Sequence, residues 1–206
     1  MESNPDPEYG PSRRCRIQAI LDELRLNPAH LDILETNPSK DSPYHNNEHL
    51  YTVALNCNEA AHFYSLPFEG HRVLFLSALY HDYNHSAGVT SDTINISRAI
   101  SGAVEHISRL ENSAVADLDA VAGIIHATIQ PPTMHNTDIG LLHRIIMDAD
   151  MMQSCEPDAE AFLAGLSAES KTEINWSSTK TFLESYEPKT SWGRKKLASL
   201  LEKLSY

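Results

Sequence analysis

Basic residues are scarce in this 206-residue sequence, where 16 lysines and arginines face 28 aspartates and glutamates for a formal charge of −12. Nucleic acids and anionic membrane surfaces are gripped by clustered Lys and Arg, so the deficit argues against both as partners. It leaves room for a small phosphorylated substrate, because a bound cation can invert the local field. Cysteine is as sparse. Cys15, Cys57 and Cys155 are odd in number, far apart and without the CxxC spacing of zinc or redox sites. A reducing compartment suits them, and the first residues lack the basic and apolar regions of a secretory leader. A cytoplasmic location is therefore expected. No apolar run approaches the roughly 20 residues that cross a bilayer, and no stretch alternates with the period of two that marks a strand.

Helical spacing is what the sequence does contain. Apolar residues recur at Ile17, Ile20, Leu21 and Leu24, and again at Leu50, Val53, Ala54, Cys57 and Ala61. Breakers interrupt the pattern at Asn27-Pro28, Asn37-Pro38, Pro67, Gly88, Pro131-Pro132, Pro157 and Pro188. Asn27 and Pro28 read as N-cap and first residue of a short helix carrying Leu31, Ile33 and Leu34. Further helices are predicted over about 47–65, 70–84, 92–110, 114–129, 138–154, 158–167, 178–186 and 192–204, with Asp92, Ser113 and Thr137 as caps. With 41% hydrophobic and 21% charged residues, the chain can bury a core. It reads as one all-α domain, a helical bundle over 1–206, with residues up to about Pro11 poorly ordered.

The pair His81-Asp82 stands out because it closes the apolar run Val73-Leu-Phe-Leu-Ser-Ala-Leu-Tyr80. An imidazole and a carboxylate at the end of a buried helix cost free energy unless something charged or hydrogen-bonding meets them, and a divalent cation is the obvious candidate. Three other segments place histidines or acids at helix ends: Tyr44-His45-Asn46-Asn47-Glu48-His49, His126-Ala127-Thr128 and Asp148-Ala149-Asp150. His45 and His49 are four residues apart, as are His81 and His85. On a continuous helix that spacing stacks side chains on one face, about 5–6 Å apart at Cβ. Such pairs also arise by chance as surface caps. Asp148 and Asp150, two apart, point in different directions, so one can serve as ligand while the other caps or faces water. Together, His49, His81, Asp82 and Asp150 supply imidazole and carboxylate ligands from three helices, a set suited to zinc, iron, manganese or magnesium.

The order His49, His81-Asp82, Asp150 resembles the HD superfamily of metal-dependent phosphohydrolases over about residues 44–153. Within it, Tyr44-His45-Asn46-Asn47-Glu48-His49, His81-Asp82-Tyr83-Asn84-His85 followed by Gly88, Ala127-Thr128 and Ala149-Asp150 resemble the signatures of class I cyclic-nucleotide phosphodiesterases. The resemblance implies that His49, His81, Asp82 and Asp150 bind a first divalent metal and that Asp82 bridges to a second, with His85 and Thr128 in the outer shell. His45 would protonate the leaving oxygen, and a hydroxide between the two ions would attack phosphorus in line. It thus implies catalytic roles for His45, Asp82 and His85, two divalent ions (Zn, Mg, Mn or Fe), and a small phosphorylated substrate, a cyclic nucleotide above others.

Departures from that pattern are also present. The segment after His85 is one residue longer, so Asp92 or Asn95 takes the place of the expected Asn, and Ile129 follows Thr128 where those enzymes carry an acid. The C-terminal third offers Gln153, Phe162, Phe182, Tyr186 and Trp192, but no clear counterpart of a purine-binding Gln and aromatic clamp. His126 is open between second-metal ligand and apolar-position residue, while His106 reads as a satisfied surface or core histidine. A nucleotidase or nucleoside-triphosphate hydrolase is the rival, with Arg98, Arg109, Arg144 and Arg194-Lys195-Lys196 as its only cations for a polyphosphate. A di-iron oxygenase and a non-catalytic module are further alternatives. Substrate-binding residues and oligomeric state are not legible.

Overall fold

Helices form where a start signal and a buried stripe coincide, and side-chain caps show where. The computed structural model describes residues 11–112, 117–129, 140–156 and 158–203, without the side chains of residues 154, 155 and 203. Among the described residues there are ten α-helices and no strand. They are α1 (Arg13–Glu23), α2 (Ala29–Glu35), α3 (Asn47–Phe63), α4 (Phe68–Tyr80), α5 (Asp92–Leu110), α6 (Leu118–His126), α7 (Leu141–Met151), α8 (Ala159–Ser170), α9 (Trp176–Ser185) and α10 (Ser191–Lys203), with a 3₁₀ turn at Met152–Cys155. Ser12, Asn46, Asp117 and Asn175 accept a backbone N–H of the first turn at the starts of α1, α3, α6 and α9. Each satisfies a donor that the helix itself cannot. Asn27 does the same for Ala29 N at 3.0 Å, although α2 begins one residue later than predicted.

The core is built around α3 and α4, which pack most extensively on each other. α7 and α1 cover α3, and α5 and α6 cover α4. Every residue from Val73 to Tyr80 is buried, as expected of a helix enclosed by neighbours. Buried histidines that are not near a ligand set are satisfied structurally. The His30 ring lies between the Tyr80 hydroxyl at 2.7 Å and Glu111 at 3.1 Å, and His71 meets Asn58 at 2.8 Å.

One predicted boundary shifts with consequences for the site. α4 ends at Tyr80, not near residue 84, and residues 81–84 form turns in which Asn84 takes a positive φ of 60°. Asn37 holds that turn by accepting the Asn84 N–H at 3.0 Å. His85 therefore leaves the face it would share with His81 on a continuous helix. The caps predicted at Ser113 and Thr137, the breakers Pro131-Pro132 and Pro157, and the N-terminal tail up to residue 10 lie outside the described residues. Asp117 caps α6.

Asp148, fully buried on α7, attaches the C-terminal helices. Its Oδ1 accepts from the Tyr186 hydroxyl and from Lys189 N, both at 2.8 Å. Oδ2 accepts from Thr190 N at 2.8 Å and Thr190 Oγ1 at 2.6 Å, while that hydroxyl accepts from Gly193 N at 2.9 Å. A Cβ at position 193 would lie 2.4 Å from Oδ2, so the start of α10 sits directly on the carboxylate. Asp148→Ala orphans these donors at once. We expect it to lower the unfolding free energy by about 3 kcal/mol or more, read as an earlier urea midpoint by circular dichroism.

Candidate metal centre

Four side chains from three helices converge at one end of the core. Asn46 caps α3 through the backbone of His49 and so sets His49 in the first turn. His81 and Asp82 follow the end of α4, and Asp150 lies in the last turn of α7. His49, His81 and Asp148 are fully buried, and Asp150 is partly exposed. Of the two acids predicted to divide roles, Asp150 joins the histidines and Asp148 anchors α10. The His49 Nε2 lies 3.1 Å from both His81 Nε2 and Asp82 Oδ2. Asp82 Oδ2 is 3.3 Å from His81 Nε2, and Asp150 Oδ1 is 3.4 Å and 3.7 Å from His49 and His81 Nε2. One ligand atom from each residue fits within 4.8 Å of all the others. Ligand bonds of about 2.0–2.2 Å at ordinary angles put neighbouring ligand atoms about 3–3.5 Å apart, so this spacing fits a shared ion.

Hydrogen bonding strengthens that fit. His49 Nδ1 meets the Gln153 side-chain oxygen, and His81 Nδ1 meets the Ala78 carbonyl at 2.8 Å. Both partners are acceptors, so each Nδ1 carries a proton, and each neutral ring turns an Nε2 lone pair inward. Two lone pairs and two carboxylates would then face one another, an arrangement that needs a positive charge between them. A proton is one answer. Burial alone would push the His81 pKa down, but the Asp82 and Asp150 carboxylates hold it well above the usual histidine range. Burial likewise works against ionised Asp82, and the facing His81 and His45 keep its pKa well below the carboxylate range. A divalent ion is the other answer, and it supplies more charge.

A second group lies beside the first. His45, His85 and Glu169 also bring ligand atoms within 4.8 Å of one another and could hold an ion, and hydrogen bonds tie His45 to Glu169. His45 Nδ1 meets Glu169 Oε2 at 2.6 Å, and the same carboxylate accepts from Tyr44 N and His45 N at 2.7 and 2.9 Å. His45 Nε2 faces Asp82 Oδ2 at 3.9 Å. Burial disfavours a charged His45, yet Asp82 and Glu169 raise its pKa above the ordinary value. Glu169, despite its burial, is drawn down to about 2 by His45 and the two backbone donors. His85 stacks on His45 with ring centroids 3.6 Å apart. Its Nδ1 accepts from Ala87 N at 3.1 Å, its Nε2 lies 2.8 Å from the Asn95 side-chain amide, and burial pushes its pKa down to about 4. The pKa values of the two stacked rings are thus pushed to opposite sides of the ordinary histidine value.

Glu169 is the site residue that sequence reading missed. It lies on α8, 124 residues from His45, in a stretch with no recognisable motif. The close approach of α8 to the Pro43-Tyr44 backbone puts it there: a Cβ on Gly165 would fall 2.1 Å from the Pro43 carbonyl oxygen. Gln153 was named from the sequence only as a residue available against the family's purine-binding Gln, and its hold on His49 is a tertiary fact.

The remaining candidates lie elsewhere or play other parts. Asn95, with Oδ1 accepting from Ser86 N and Thr90 Oγ1 at 3.1 and 3.0 Å, is the polar residue that reaches His85. Thr128 is buried and donates its hydroxyl to the Ile125 carbonyl at 2.8 Å. His126 is exposed at the end of α6. His126 belongs to neither of the ligand groups formed by the described residues. His106 meets the Tyr83 hydroxyl at 3.2 Å and Arg109 at 3.3 Å, a satisfied histidine. Tyr186 bonds to Asp148, and the Trp192 indole donates to Glu59 at 2.9 Å.

A cavity of about 430 Å³ opens beside the ligands, between Tyr44, His45 and Asp150 on one side and α8 and α9 on the other. No lysine or arginine is among its lining residues. Arg109 pairs with His106, Arg194 reaches the Pro188 carbonyl, and Lys196 binds Asn56 and Glu59. No described helix is long and apolar enough to cross a membrane. The sequence matches no protein-family model and no curated protein.

Proposed function

We propose that the protein is a metal-dependent phosphohydrolase of the HD type that cleaves a phosphodiester bond, with a cyclic nucleotide as the favoured substrate. The observation that carries this reading is the convergence of His49, His81, Asp82 and Asp150, which could hold one ion, beside a histidine whose pKa Asp82 and Glu169 raise. A divalent ion held by His49, His81, Asp82 and Asp150 would acidify a water and offset charge on the phosphoryl oxygens. The chain's own residues supply the rest. Gln153 and the Ala78 carbonyl fix the two imidazole ligands in the tautomer that offers Nε2. Water oxygen forms the new bond to phosphorus while the opposite P–O bond breaks. His45 Nε2 gives its proton to the departing alkoxide, and Glu169 holds the imidazolium in place.

The polyphosphate rival is disfavoured by the cavity, whose lining among the described residues offers no lysine or arginine as counter-charge. The test is a hydrolysis panel of bis-p-nitrophenyl phosphate, cyclic AMP, cyclic GMP, and nucleoside mono- and triphosphates, with zinc, manganese, magnesium or iron. Turnover of the diesters above the triphosphates is expected. No turnover with any of the metals would refute the reading.

A further inference from the structure

A second cavity opens away from the candidate metal centre, bounded by α1, α3, α10 and Glu156, the residue that follows the 3₁₀ turn. Its volume, about 440 Å³, lies within the range of about 300–1,000 Å³ typical of small-molecule sites. None of its lining residues belongs to the ligand groups or lines the cavity beside them. Glu59, on its wall, lies ten residues beyond His49 on α3, which is about 15 Å along the helix. Two cations, Arg16 and Lys196, and two carboxylates, Glu59 and Glu156, line it. The charged groups of the wall therefore sum to zero.

Existing bonds decide which of these groups are left for a ligand. The Lys196 ammonium has three donors, and three acceptors surround it: Asn56 Oδ1, Glu59 Oε2 at 3.0 Å and Glu156 Oε1 at 3.2 Å. Lys196 is therefore structural. It ties α10 to α3, and Asn56 passes the tie to α7 by donating Nδ2 to the Ala149 carbonyl at 3.3 Å. Glu59 is occupied as well, because its Oε1 accepts from the Trp192 indole at 2.9 Å. One cation and one anion remain. The Arg16 side chain is exposed and makes no hydrogen bond or ion pair among the described residues. Glu156, with its side chain 20% exposed, meets Lys196 through Oε1 and leaves Oε2 without a partner among those residues. Between them, Ala19, Ile20 and Leu55 supply apolar wall.

We infer that this cavity is a binding site for a small zwitterion, an amino acid with an aliphatic side chain, whose carboxylate is held by Arg16 and whose ammonium group is held by Glu156. A guanidinium matches a carboxylate with two parallel N–H bonds, and the open carboxylate oxygen takes an N–H in return. A simple anion would satisfy Arg16 but face Glu156, and a simple cation would do the opposite. Only a ligand with both charges meets a wall whose own charges cancel. The site is independent of the phosphohydrolase reading.

The test uses the full chain in magnesium buffer and three probes of one shape: L-leucine, 4-methylpentanoate, which lacks the ammonium group, and 3-methylbutylamine, which lacks the carboxylate. Binding is followed by NMR titration, so no turnover is needed. Wild type is expected to bind leucine about tenfold more tightly than either fragment. Arg16→Gln, at an exposed position of α1 where no contact is lost, should weaken leucine and 4-methylpentanoate about tenfold without weakening 3-methylbutylamine. Glu156→Gln keeps an oxygen for Lys196 and removes the charge, so it should weaken leucine and the amine and spare 4-methylpentanoate. Arg16→Gln decides the matter alone if Glu156→Gln fails to fold. Binding of no probe, a fragment that binds as tightly as leucine, or indifference of leucine to Arg16→Gln would overturn the site. Hydrolysis of diesters bears on none of these outcomes.

Discussion

Asp82→Ala is expected to lose both stoichiometric metal and hydrolysis, with turnover falling by at least about 10³-fold while helix content stays unchanged. Asp82 is the carboxylate nearest both imidazole nitrogens and the one that His45 also faces, so its removal strips charge from the ligand set and its neighbour together. Stability should report the same loss. A metal that binds only the folded chain at 1,000 times its Kd contributes about 4 kcal/mol, or about 8–16 °C in Tm at about 2–4 °C per kcal/mol for a chain of this size. That metal-dependent rise should be absent from the variant. The pH dependence follows from His81, whose pKa is held well above the ordinary histidine value by Asp82 and Asp150 against the effect of burial. A proton on its Nε2 competes with the metal. Affinity should fall as pH drops through that raised pKa, and metal uptake below it should release a proton, measurable by calorimetry in buffers of different ionisation enthalpy.

His45→Ala should behave differently, keeping its metal and losing about 10²–10⁴-fold in turnover of esters with poor leaving groups. A p-nitrophenolate leaves without a proton, so the loss on bis-p-nitrophenyl phosphate should be much smaller. The sign of the pH effect is set by the acid's role. His45 must be protonated to act, so its contribution is full below its raised pKa and disappears as pH rises through it. Glu169→Gln removes the 2.6 Å partner on Nδ1, lowers that pKa and should move the falling limb of the pH–rate profile to lower pH. A purely structural Glu169 would lower activity without moving the limb. Loss of metal in His45→Ala would reassign His45 from acid to ligand.

The candidate ligand set was legible because its chemistry is written locally: His81-Asp82 closes an apolar helix, and histidines or acids recur at the ends of other helices. The helix count followed from period and breakers in the same way. The end of α4 was placed too late because nothing local announces that the helix stops at Tyr80. The turn depends on Asn37, 47 residues earlier, accepting from Asn84. Asp148 and Asp150 were told apart only in kind, since the donors that claim Asp148 come from a segment some 40 residues downstream. Glu169 and the hold of Gln153 on His49 were out of reach for the same reason: each is defined by a partner more than 100 residues away.

The central claim is that His49, His81, Asp82 and Asp150 hold a divalent ion. Its most direct test is the metal content, by elemental analysis, of wild type and Asp82→Ala after zinc or manganese loading and exhaustive dialysis. The account predicts at least one tightly held equivalent per chain in wild type and none in the variant. A wild-type protein that retains no metal, or a variant that retains as much as wild type, would contradict it.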